Sequence, residues 1–254
     1  MGRRCAFCAR TGQMSGEDVL PRWLYEATGR LPLGKHFVSH DNAIVRSWHG
    51  LPYHTKTNQV CAECNSGWMS RLEYVTARLL RGAVRGNLAR RQFNGAECAT
   101  MARWALKTAM CVQLLDQRKI IPQSHYCQIY ERRISGFPLD GCQAWIGRFA
   151  PTIPQTRHRI QPLPELYVKG EPVRGFAYPP YATAIAIGHV AIQAVVIDEE
   201  GAGTPFDFTS SPDRAAALIK IWPPPSKAEW PPPFSLTERG YDQLSKFFVT
   251  PPEP

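Results

Sequence analysis

The sequence predicts an α+β protein in which residues 1–93 and residues 94–254 form two parts. Three observations predict this class. Two Cys-x-x-Cys pairs lie in the first part, and a long amphipathic helical pattern follows the second pair directly. Beyond residue 140, alternating and continuous apolar segments are typical of antiparallel strands. The 254 residues, of which 44% are hydrophobic, are enough to bury a core in each part.

The positive charge of the chain is concentrated in its first part. Residues 1–93 carry 14 Arg and Lys against 6 Asp and Glu, a net charge of +8, whereas the remainder carries 16 against 15, a net charge of +1. A positive field confined to one segment is typical of proteins that bind a polyanion, and nucleic acid is the expected partner. A basic surface that only aids solubility is the alternative interpretation.

The expected compartment follows from the hydropathy pattern and decides how the cysteines are interpreted. No stretch approaches the ~18 apolar residues of a membrane span, and the N-terminal MGRRCAFCAR lacks the apolar core of a secretory signal. We therefore expect a cytoplasmic protein with no membrane partner. In a reducing compartment, paired cysteines are metal ligands more often than disulfides. Four other cysteines stand singly, and we expect no second metal site from them: Cys98, Cys111, Cys127 and Cys142.

The two Cys-x-x-Cys pairs predict a structural zinc site. A two-residue spacer lets both sulfur atoms of Cys5 and Cys8, or of Cys61 and Cys64, approach one ion from a tight turn. Two such pairs complete the tetrahedral thiolate shell that holds Zn²⁺ in closed structural sites. Because that shell has no open coordination position, we expect the zinc to perform no chemistry. Four unmetallated thiols and an iron–sulfur cluster are the alternatives.

Helical spacing is clearest directly after the second pair. A helix is predicted from Ser66 to about Val84, a shorter one from Pro21 to Thr28, and a strand-like pattern from Val38 to Trp48. The predicted apolar face of the long helix consists of Trp68, Leu72, Val75 and Leu79. At about 100° per residue, four arginines share a neighbouring arc of about 80° and are expected to bind nucleic acid: Arg71, Arg78, Arg81 and Arg85.

The second part begins with helices and continues with strands. Helices are predicted from Ala96 to Gln117 and from Gln123 to Ile134. Strands are predicted at residues 142–150, 157–161, 165–169 and 183–198, the last as two strands joined near Gly188. A capping-box pattern from Ser235 to Glu238 predicts a final helix that runs to Val249.

Proline-rich segments in the second part allow a structural and a binding interpretation. Triplets of proline at residues 223–225 and 231–233 flank Trp230, and we favour a stiff connector over a ligand for a partner protein. We likewise interpret Tyr178-Pro-Pro-Tyr181 as a structural turn in preference to a motif that binds a partner protein. The second part contains no phosphate-binding loop or nucleophile elbow of the usual pattern, so it predicts no chemistry.

Two segments carry a resemblance to a known family. Glu17-Asp18-Val19-Leu20-Pro21 lies between the cysteine pairs, and the second pair continues as Cys61-Ala-Glu-Cys64-Asn65-Ser-Gly-Trp68-Met69. This order resembles zinc-bearing HNH endonucleases, which contain a Cys pair, an acid-His-x-x-Pro segment, and a second Cys pair followed by Asn at the start of a helix. It is particularly similar to bacterial HNH-type proteins that continue as Asn-x-Gly-Trp-Met. The resemblance covers residues 5 to about 75.

The resemblance implies a ββα-metal, treble-clef module that hydrolyses a phosphodiester bond with one divalent ion, Mg²⁺ or Mn²⁺. Glu17 then occupies the acidic metal-binding position of the family, and Asn65 the asparagine metal-binding position. Asn58 is a looser match to the central asparagine that braces the active-site loop. Asp18 stands where the family has its general-base histidine. A carboxylate with an ordinary pKa of about 3.9 is a weak base, so this departure predicts reduced water activation.

Several interpretations of Glu17 and Asp18, here called the acidic pair, stay open. Burial or the neighbouring Glu17 would raise the pKa of Asp18, or both carboxylates together with Asn65 would hold a cation more tightly. A base from between the cysteine pairs is a further option, and the candidates are His36, His40, His49 and His54. A purely structural interpretation is also open: Ser15 followed by Glu17 and Asp18 is typical of the N-terminus of a helix, where acidic residues favour the first turn.

Two functions are therefore weighed. The leading expectation is an HNH-like, metal-dependent endonuclease that acts on nucleic acid, expected to be DNA, with full or reduced activity. The second is a zinc-dependent nucleic-acid-binding adaptor without cleavage activity. In the adaptor, residues 94–254 supply specificity or contact a protein partner, for example in a phage-defence or phage-encoded assembly. Asp18 is the residue that separates the two, and it favours the adaptor.

Overall fold

The computed structural model of the chain describes residues 2–29, 34–40, 43–50, 55–152, 156–163, 167–168, 171–172, 174–197 and 216–246. Within residues 34–50, 167–172 and 245–246 it describes the backbone alone. Helices combine with mainly antiparallel strands, so the predicted α+β class is confirmed.

The N-terminal part is built around a small antiparallel sheet that leads into a helix. A turn containing the first cysteine pair is closed by a bridge between Arg4 and Thr11. Strand β1 then pairs antiparallel with β4, and β4 continues directly into the helix. The elements are β1 (Met14–Asp18), α1 (Arg22–Thr28), β2 (Gly34–His40), β3 (Ala43–Gly50), β4 (Lys56–Cys61), α2 (Ala62–Cys64), a π-helical segment (Asn65–Met69) and α3 (Ser70–Val84). The helix predicted after Pro21 is confirmed as α1, and β2 and β3 pair antiparallel over the segment predicted to be strand-like.

The apolar face of α3 is rotated from the predicted one. Trp68 and Leu72 are buried as predicted, but Val75 is 45% exposed, so its assignment to the apolar face was wrong. The buried positions are Leu72, Thr76, Ala77, Leu79, Leu80, Ala83 and Val84. The reason is that α3 packs against two helices, α1 and α4 (Gly95–Gln113), and the buried positions Thr76 and Leu80 lie between them.

Helix α4 (Gly95–Gln113) is the central element of the molecule. It begins at a capping box in which Asn94 and Glu97 satisfy each other's backbone N–H groups. From Met101 to Gln113 every residue is buried. The helix ends four residues before the predicted Gln117, because the Gln113 side chain accepts the N–H of Ile120 (3.0 Å) in the loop that turns back. Helix α5 (Gln123–Glu131) follows and ends three residues before the predicted Ile134.

The second part contains a six-stranded sheet. Its strands are β6 (Cys142–Phe149), β7 (Thr156–Pro162), β10 (Tyr181–Ile187), β11 (Val190–Val196), β12 (Leu218–Trp222) and β14 (Ser235–Leu236). Their order is β12-β6-β11-β10-β7, all antiparallel, and β14 pairs in parallel with β6. Two small antiparallel pairs complete the strands: β8 (Tyr167–Val168) with β9 (Glu171–Pro172), and β5 (Arg91–Phe93) with β13 (Ala228–Trp230). The predicted turn near Gly188 is confirmed by the pairing of Ile187 with Val190.

The sheet is covered on both faces. Along β10, Tyr181 and Ile185 face the same core as α4, whereas Ala182, Ala184 and Ala186 face a second core. This second core is closed by the last helix, α6 (Glu238–Lys246), through Tyr241 and Leu244. Alanine on that face lets the helix approach the sheet closely, whereas larger side chains fill the space towards α4.

Two further predictions are corrected or refined at the end of the chain. Ser235 lies in β14, so it does not cap α6; instead, the hydroxyl of Thr237 accepts the N–H of Gly240 at 3.1 Å. Val249 lies outside the described residues. Trp230, between the proline triplets, is buried in the β5–β13 pair, which supports the connector interpretation. Tyr181 is fully buried, which is consistent with a structural turn.

The division of the chain at residue 93 stays a prediction. One hydrophobic core extends from Cys5 to Trp230 and includes residues of α3, α4, α5 and the sheet. No helix within the described ranges is long and apolar enough to cross a membrane.

Candidate functional site

The four predicted cysteines meet at one point. Cys5 and Cys8 lie in a turn in which the Cys5 N–H donates to the Arg10 carbonyl and its own carbonyl accepts the N–H of Ala9 (3.0 Å each). Cys61 ends β4 and Cys64 ends α2, so the second pair lies where strand becomes helix. All four sulfur atoms lie within 4.8 Å of one another, the only such group of three or more His, Cys, Asp or Glu ligands in the described part of the chain.

The cluster fits a zinc ion. The sulfur atoms of Cys8 and Cys61 are 3.7 Å apart, and a tetrahedral shell with Zn–S bonds of about 2.3 Å requires edges of about 3.8 Å. All four thiols are free, and three are buried. Backbone N–H groups of Cys61 and Cys64 approach the sulfur atoms of Cys5 (3.4 Å) and Cys61 (3.5 Å), as is typical around metal-bound thiolates. The prediction that these four cysteines form a site that can hold a metal ion such as zinc is therefore confirmed.

Hydrogen bonding within the cluster separates the thiol pKa values. The hydrogen bond with Cys64 lowers the pKa of Cys5 to about 4, and the same bond together with burial raises the pKa of Cys64. Burial also raises the pKa of Cys61. Zinc binds cysteine as the thiolate, so metal binding at this cluster is coupled to the release of thiol protons.

Aromatic packing holds the first cysteine turn on the rest of the molecule. Phe7, between Cys5 and Cys8, is fully buried. Its ring meets Trp68 at 5.7 Å and Tyr126 at 5.2 Å, both edge to face. The cysteine cluster and these ring contacts together connect the N-terminal turn to β4, to the π-helical segment that precedes α3, and to α5. The four single cysteines lie elsewhere: Cys98, Cys111 and Cys142 are buried, and Cys127 is half-buried.

Glu17 lies in the interior of the molecule. The β1–β4 pair contains an irregularity between Ser15 and Glu17, after which Glu17 is opposite Thr57 and Asp18 opposite Lys56. Glu17 and Thr57 are both 3% exposed, so this pair points inward. Its carboxylate accepts a hydrogen bond of 2.8 Å from the ammonium of Lys107 on α4.

Lys107 is fully buried between two carboxylates. Its ammonium also binds the carboxylate of Glu73 on α3, which is 22% exposed. Burial alone would lower the pKa of Lys107, but the negative groups around it outweigh burial and raise it. Burial raises the pKa of Glu73, and the charge of Lys107 opposes that change. The three residues form an ion triad that joins β1, α3 and α4, and its cation is already supplied by the protein.

Asp18 follows Glu17 on β1 and is not a member of the triad. Its side chain is 25% exposed, and one carboxylate oxygen lies 3.6 Å from the Lys56 ammonium, beyond hydrogen-bond distance. That oxygen is buried and accepts no hydrogen bond from the residues described. A buried carboxylate oxygen without a hydrogen bond has the capacity to bind a cation.

The two asparagines lie beside the same strand. The Asn65 side chain donates to the Ser15 hydroxyl (3.0 Å), which in turn donates to the Val60 carbonyl (3.3 Å). The side-chain oxygen Oδ1 of Asn58 lies over Gly16, 3.6 Å from where a Cβ atom would stand. Asn65 and Asn58 thus flank β1. The meeting of Glu17, Asp18 and Asn65 around one divalent ion stays a prediction, since the Glu17 carboxylate is directed to Lys107.

The candidate histidine bases are not located. The side chains of His36, His40 and His49, in β2 and β3, and all of His54 lie outside what the structure describes.

The four predicted arginines differ in their surroundings. Arg81 forms an ion pair with Glu26 of α1 (3.2 Å), and Arg85 donates to the Glu26 carbonyl (3.0 Å). Arg71 and Arg78 are exposed, and no described carboxylate lies within ion-pair distance of either. Arg81 and Arg85 therefore connect α3 to α1, whereas Arg71 and Arg78 are available to a partner.

Lys107 and Glu73 were not identified from the sequence. Lys107 is the single charged residue in the run Trp104-Ala-Leu-Lys-Thr-Ala-Met110. A lone lysine within an apolar helical run is an indication of a buried ammonium that needs a carboxylate partner, but spacing alone does not identify that partner.

Comparisons of this chain with protein family models, with curated proteins and with solved structures found no match.

Proposed function

We propose that this chain is a zinc-stabilised nucleic-acid-binding protein with an HNH-like N-terminal module, and that it binds DNA without Glu17-dependent hydrolysis. The observation that carries this proposal is the exposure of Arg71 and Arg78 on α3, the helix that extends from the second cysteine pair. Both arginines are available to phosphate oxygens, and they belong to the part of the chain that has a net charge of +8.

The zinc in this proposal has a structural role. Bound by two cysteines of the N-terminal turn and two at the strand–helix junction, it fixes the start of α3 relative to β1 and β4. Arg81 and Arg85 fix the other end of the helix against α1 through Glu26. A rigid helix presents its arginines to DNA with a smaller loss of conformational entropy than a mobile one.

The buried triad argues against hydrolysis that depends on Glu17. A divalent ion at Glu17 would have to lie close to the Lys107 ammonium, which is fully buried and cannot turn to solvent. Two cations so close together repel each other strongly in an interior of low dielectric constant. Binding is therefore the better supported activity.

DNA binding is tested with Arg71→Glu/Arg78→Glu. Fluorescence anisotropy with a labelled 20-base-pair duplex is measured over a series of salt concentrations. We expect the double variant to bind at least about tenfold more weakly at low salt and to lower the slope of log K against log salt by about 2, since two phosphate contacts are lost.

The matched control is Arg174→Glu/Arg239→Glu, which makes the same change of charge at two exposed arginines of the second part. This control should retain most of the affinity. Equal losses in both double variants would assign binding to net charge alone, and no binding by the natural chain at low salt would overturn the proposal.

Endonuclease activity is a second candidate function. The observation that favours it is the carboxylate oxygen of Asp18, which is buried without a hydrogen bond beside Lys56, with Asn58 and Asn65 flanking the same strand. In HNH endonucleases this position acts as the general base, and Mg²⁺ or Mn²⁺ supplies charge stabilisation of the phosphate.

Cleavage is tested by incubation of the zinc-loaded chain with supercoiled plasmid, with and without Mg²⁺ or Mn²⁺. We expect no metal-dependent nicking from the natural chain, and the same result for Glu17→Ala. Metal-dependent nicking that Glu17→Ala abolishes, while zinc content and the midpoint of thermal unfolding stay unchanged, would instead establish the endonuclease. If the natural chain cleaves and Asp18→His accelerates it by roughly 10²–10⁴-fold, Asp18 is a degenerate base.

A further inference from the structure

The exposed face of α3 carries a large aromatic side chain among its arginines. Tyr74 is 66% exposed, and Val75 beside it is 45% exposed. At about 100° per residue, Tyr74 falls inside the arc of about 80° that the four arginines share, between Arg81 and Arg85 in projection. Tyr74 is three residues from Arg71 and four from Arg78, the two spacings at which helix side chains are neighbours.

The surroundings of Tyr74 leave its ring available. Within the described chain, neither an aromatic ring nor a cation is in stacking contact with it, whereas Tyr130 is covered by Arg133 at 4.1 Å. About 20° beyond Arg71, next to this arc, a Cβ atom at Gly82 would meet only Asn87, at an ordinary distance of 3.8 Å. Glycine at an exposed helical position costs helix stability, and it lets a ligand approach the backbone closely.

From this arrangement we infer that the face formed by Arg71, Tyr74, Val75 and Arg78 binds single-stranded nucleic acid, with an unpaired base stacked on the Tyr74 ring and its flanking phosphates on Arg71 and Arg78. The inference rests on the proposed nucleic-acid binding and adds the class of ligand. An aromatic ring has an apolar surface that phosphates do not use, and in duplex DNA the faces of the bases are covered by their neighbours. A basic surface with an exposed aromatic ring is the combination that binds single strands without sequence preference.

The positive charge of this face favours single-stranded nucleic acid over a neutral protein partner. The face presents two exposed guanidinium groups that lack a described carboxylate partner, and the only acid within four residues of Tyr74 on α3 is Glu73, which is bound to Lys107. A neutral or mixed protein surface would leave these charges uncompensated, whereas a phosphate chain pairs with both.

The experiment compares four chains: natural, Tyr74→Ala, Tyr74→Phe and Tyr74→Leu. Each is titrated by fluorescence anisotropy into a labelled 20-nucleotide oligo-dT strand, a fully abasic strand of the same length, and a 20-base-pair duplex. We expect Tyr74→Ala to bind oligo-dT about 5- to 100-fold more weakly than the natural chain, and to bind the abasic strand and the duplex within about twofold. Tyr74→Phe should retain the affinity for oligo-dT, and Tyr74→Leu should not.

The matched control is Phe234→Ala, which removes another exposed aromatic ring (65% exposed) from the second part. It should bind all three ligands as the natural chain does. Zinc content and the midpoint of thermal unfolding are recorded for every variant, and Tyr74→Leu serves if Tyr74→Ala is not folded.

The possible outcomes separate the two proposals. If the natural chain binds none of the three ligands, the proposed function itself fails. If it binds them and Tyr74→Ala binds oligo-dT equally well, nucleic-acid binding stands and the stacking inference is overturned. An equal loss on oligo-dT, abasic strand and duplex also overturns stacking, because an abasic strand offers no base to the ring.

Discussion

A single lysine decides how the acidic pair of β1 is interpreted. Lys107 is buried with its ammonium between Glu17 and Glu73, and the three residues come from three different elements. A charge in the interior is tolerated only where opposite charges and hydrogen bonds compensate its loss of hydration. The triad therefore explains why Glu17 is found in a strand that faces the core.

Removal of Lys107 should be severely destabilising. Lys107→Met leaves two carboxylates in the interior without a cation, and breaking a buried pair in this way costs about 3–5 kcal/mol of the free energy of unfolding. Urea denaturation at pH 7 measures the change. The control is the triple variant Lys107→Met/Glu17→Gln/Glu73→Gln, which removes all three charges and should regain part of the loss. A change below about 1 kcal/mol in the single variant would show that the triad contributes little.

The cysteine cluster makes an equally direct prediction. Chain purified without added metal should contain about one equivalent of zinc, and Cys61→Ser should lose it, because three thiolates no longer close the shell. Elemental analysis and the thermal midpoint are the measurements. Cys127→Ser, a half-buried cysteine outside the cluster, is the matched control and should keep the metal. Zinc retained in full by Cys61→Ser would refute the assignment of the ligands.

At the scale of elements, one buried contact joins α5 to the sheet. The Nδ1 atom of His125 on α5 lies 2.8 Å from the Tyr181 hydroxyl on β10. Burial raises the pKa of Tyr181 well above 10, so its hydroxyl keeps its proton in this contact. Burial lowers the pKa of His125 to about 4, and the charge of Asp140 opposes this shift.

This contact predicts an acid-sensitive stability. The folded pKa of His125, about 4, lies below its ordinary value of 6.5, so the unfolded chain takes up the proton first. The free energy of unfolding should therefore be highest above pH 6.5, fall as the pH is lowered, and have lost this contribution below pH 4. His125→Gln should remove that part of the pH dependence, as measured by urea denaturation at intervals between pH 7 and pH 4. Identical profiles for the two chains would contradict the prediction.

The elements show which features a sequence can predict. The start of α4, the hairpin around Gly188 and the long helix after Cys64 follow local rules of capping, turn residues and periodicity, and each was predicted close to its observed position. Val75 was misplaced because the periodicity of α3 allows two adjacent faces, and only packing against α1 and α4 chooses between them. The helix cap at Thr237 was missed because the Ser235 pattern competes with it two residues away.

The candidate site was predictable in part for the same reason. The zinc ligands follow a spacing rule that depends on short-range geometry, so four cysteines far apart in sequence were assigned correctly to one cluster. The environment of Glu17 depends on Lys107, which is 90 residues away in the chain. No periodicity or spacing connects those two positions, and only the tertiary structure brings them together.

At the scale of the whole molecule, charge and core are distributed differently. The excess positive charge belongs to residues 1–93, whereas the core extends across the whole described chain. The basic surface is therefore supported from behind by residues of the second part, of which α4 is the largest contributor. Stability of the second part is expected to influence nucleic-acid binding by the first without any contact to the ligand.

The turn at Gly188 bears on how such a protein arises by recombination. Gly188 has a φ of +54°, and a Cβ atom there would lie 2.4 Å from the Val84 carbonyl oxygen, the last carbonyl of α3. The next residue, His189, donates its N–H to that same carbonyl at 3.1 Å. The end of the basic helix is thus completed by a hairpin encoded about a hundred codons later. A gene fragment that ended shortly after the helix would carry the metal ligands and the arginines into a new protein, but it would leave the Val84 carbonyl without this donor. The new protein would have to supply another hydrogen-bond donor at this end of the helix, or leave the carbonyl to water.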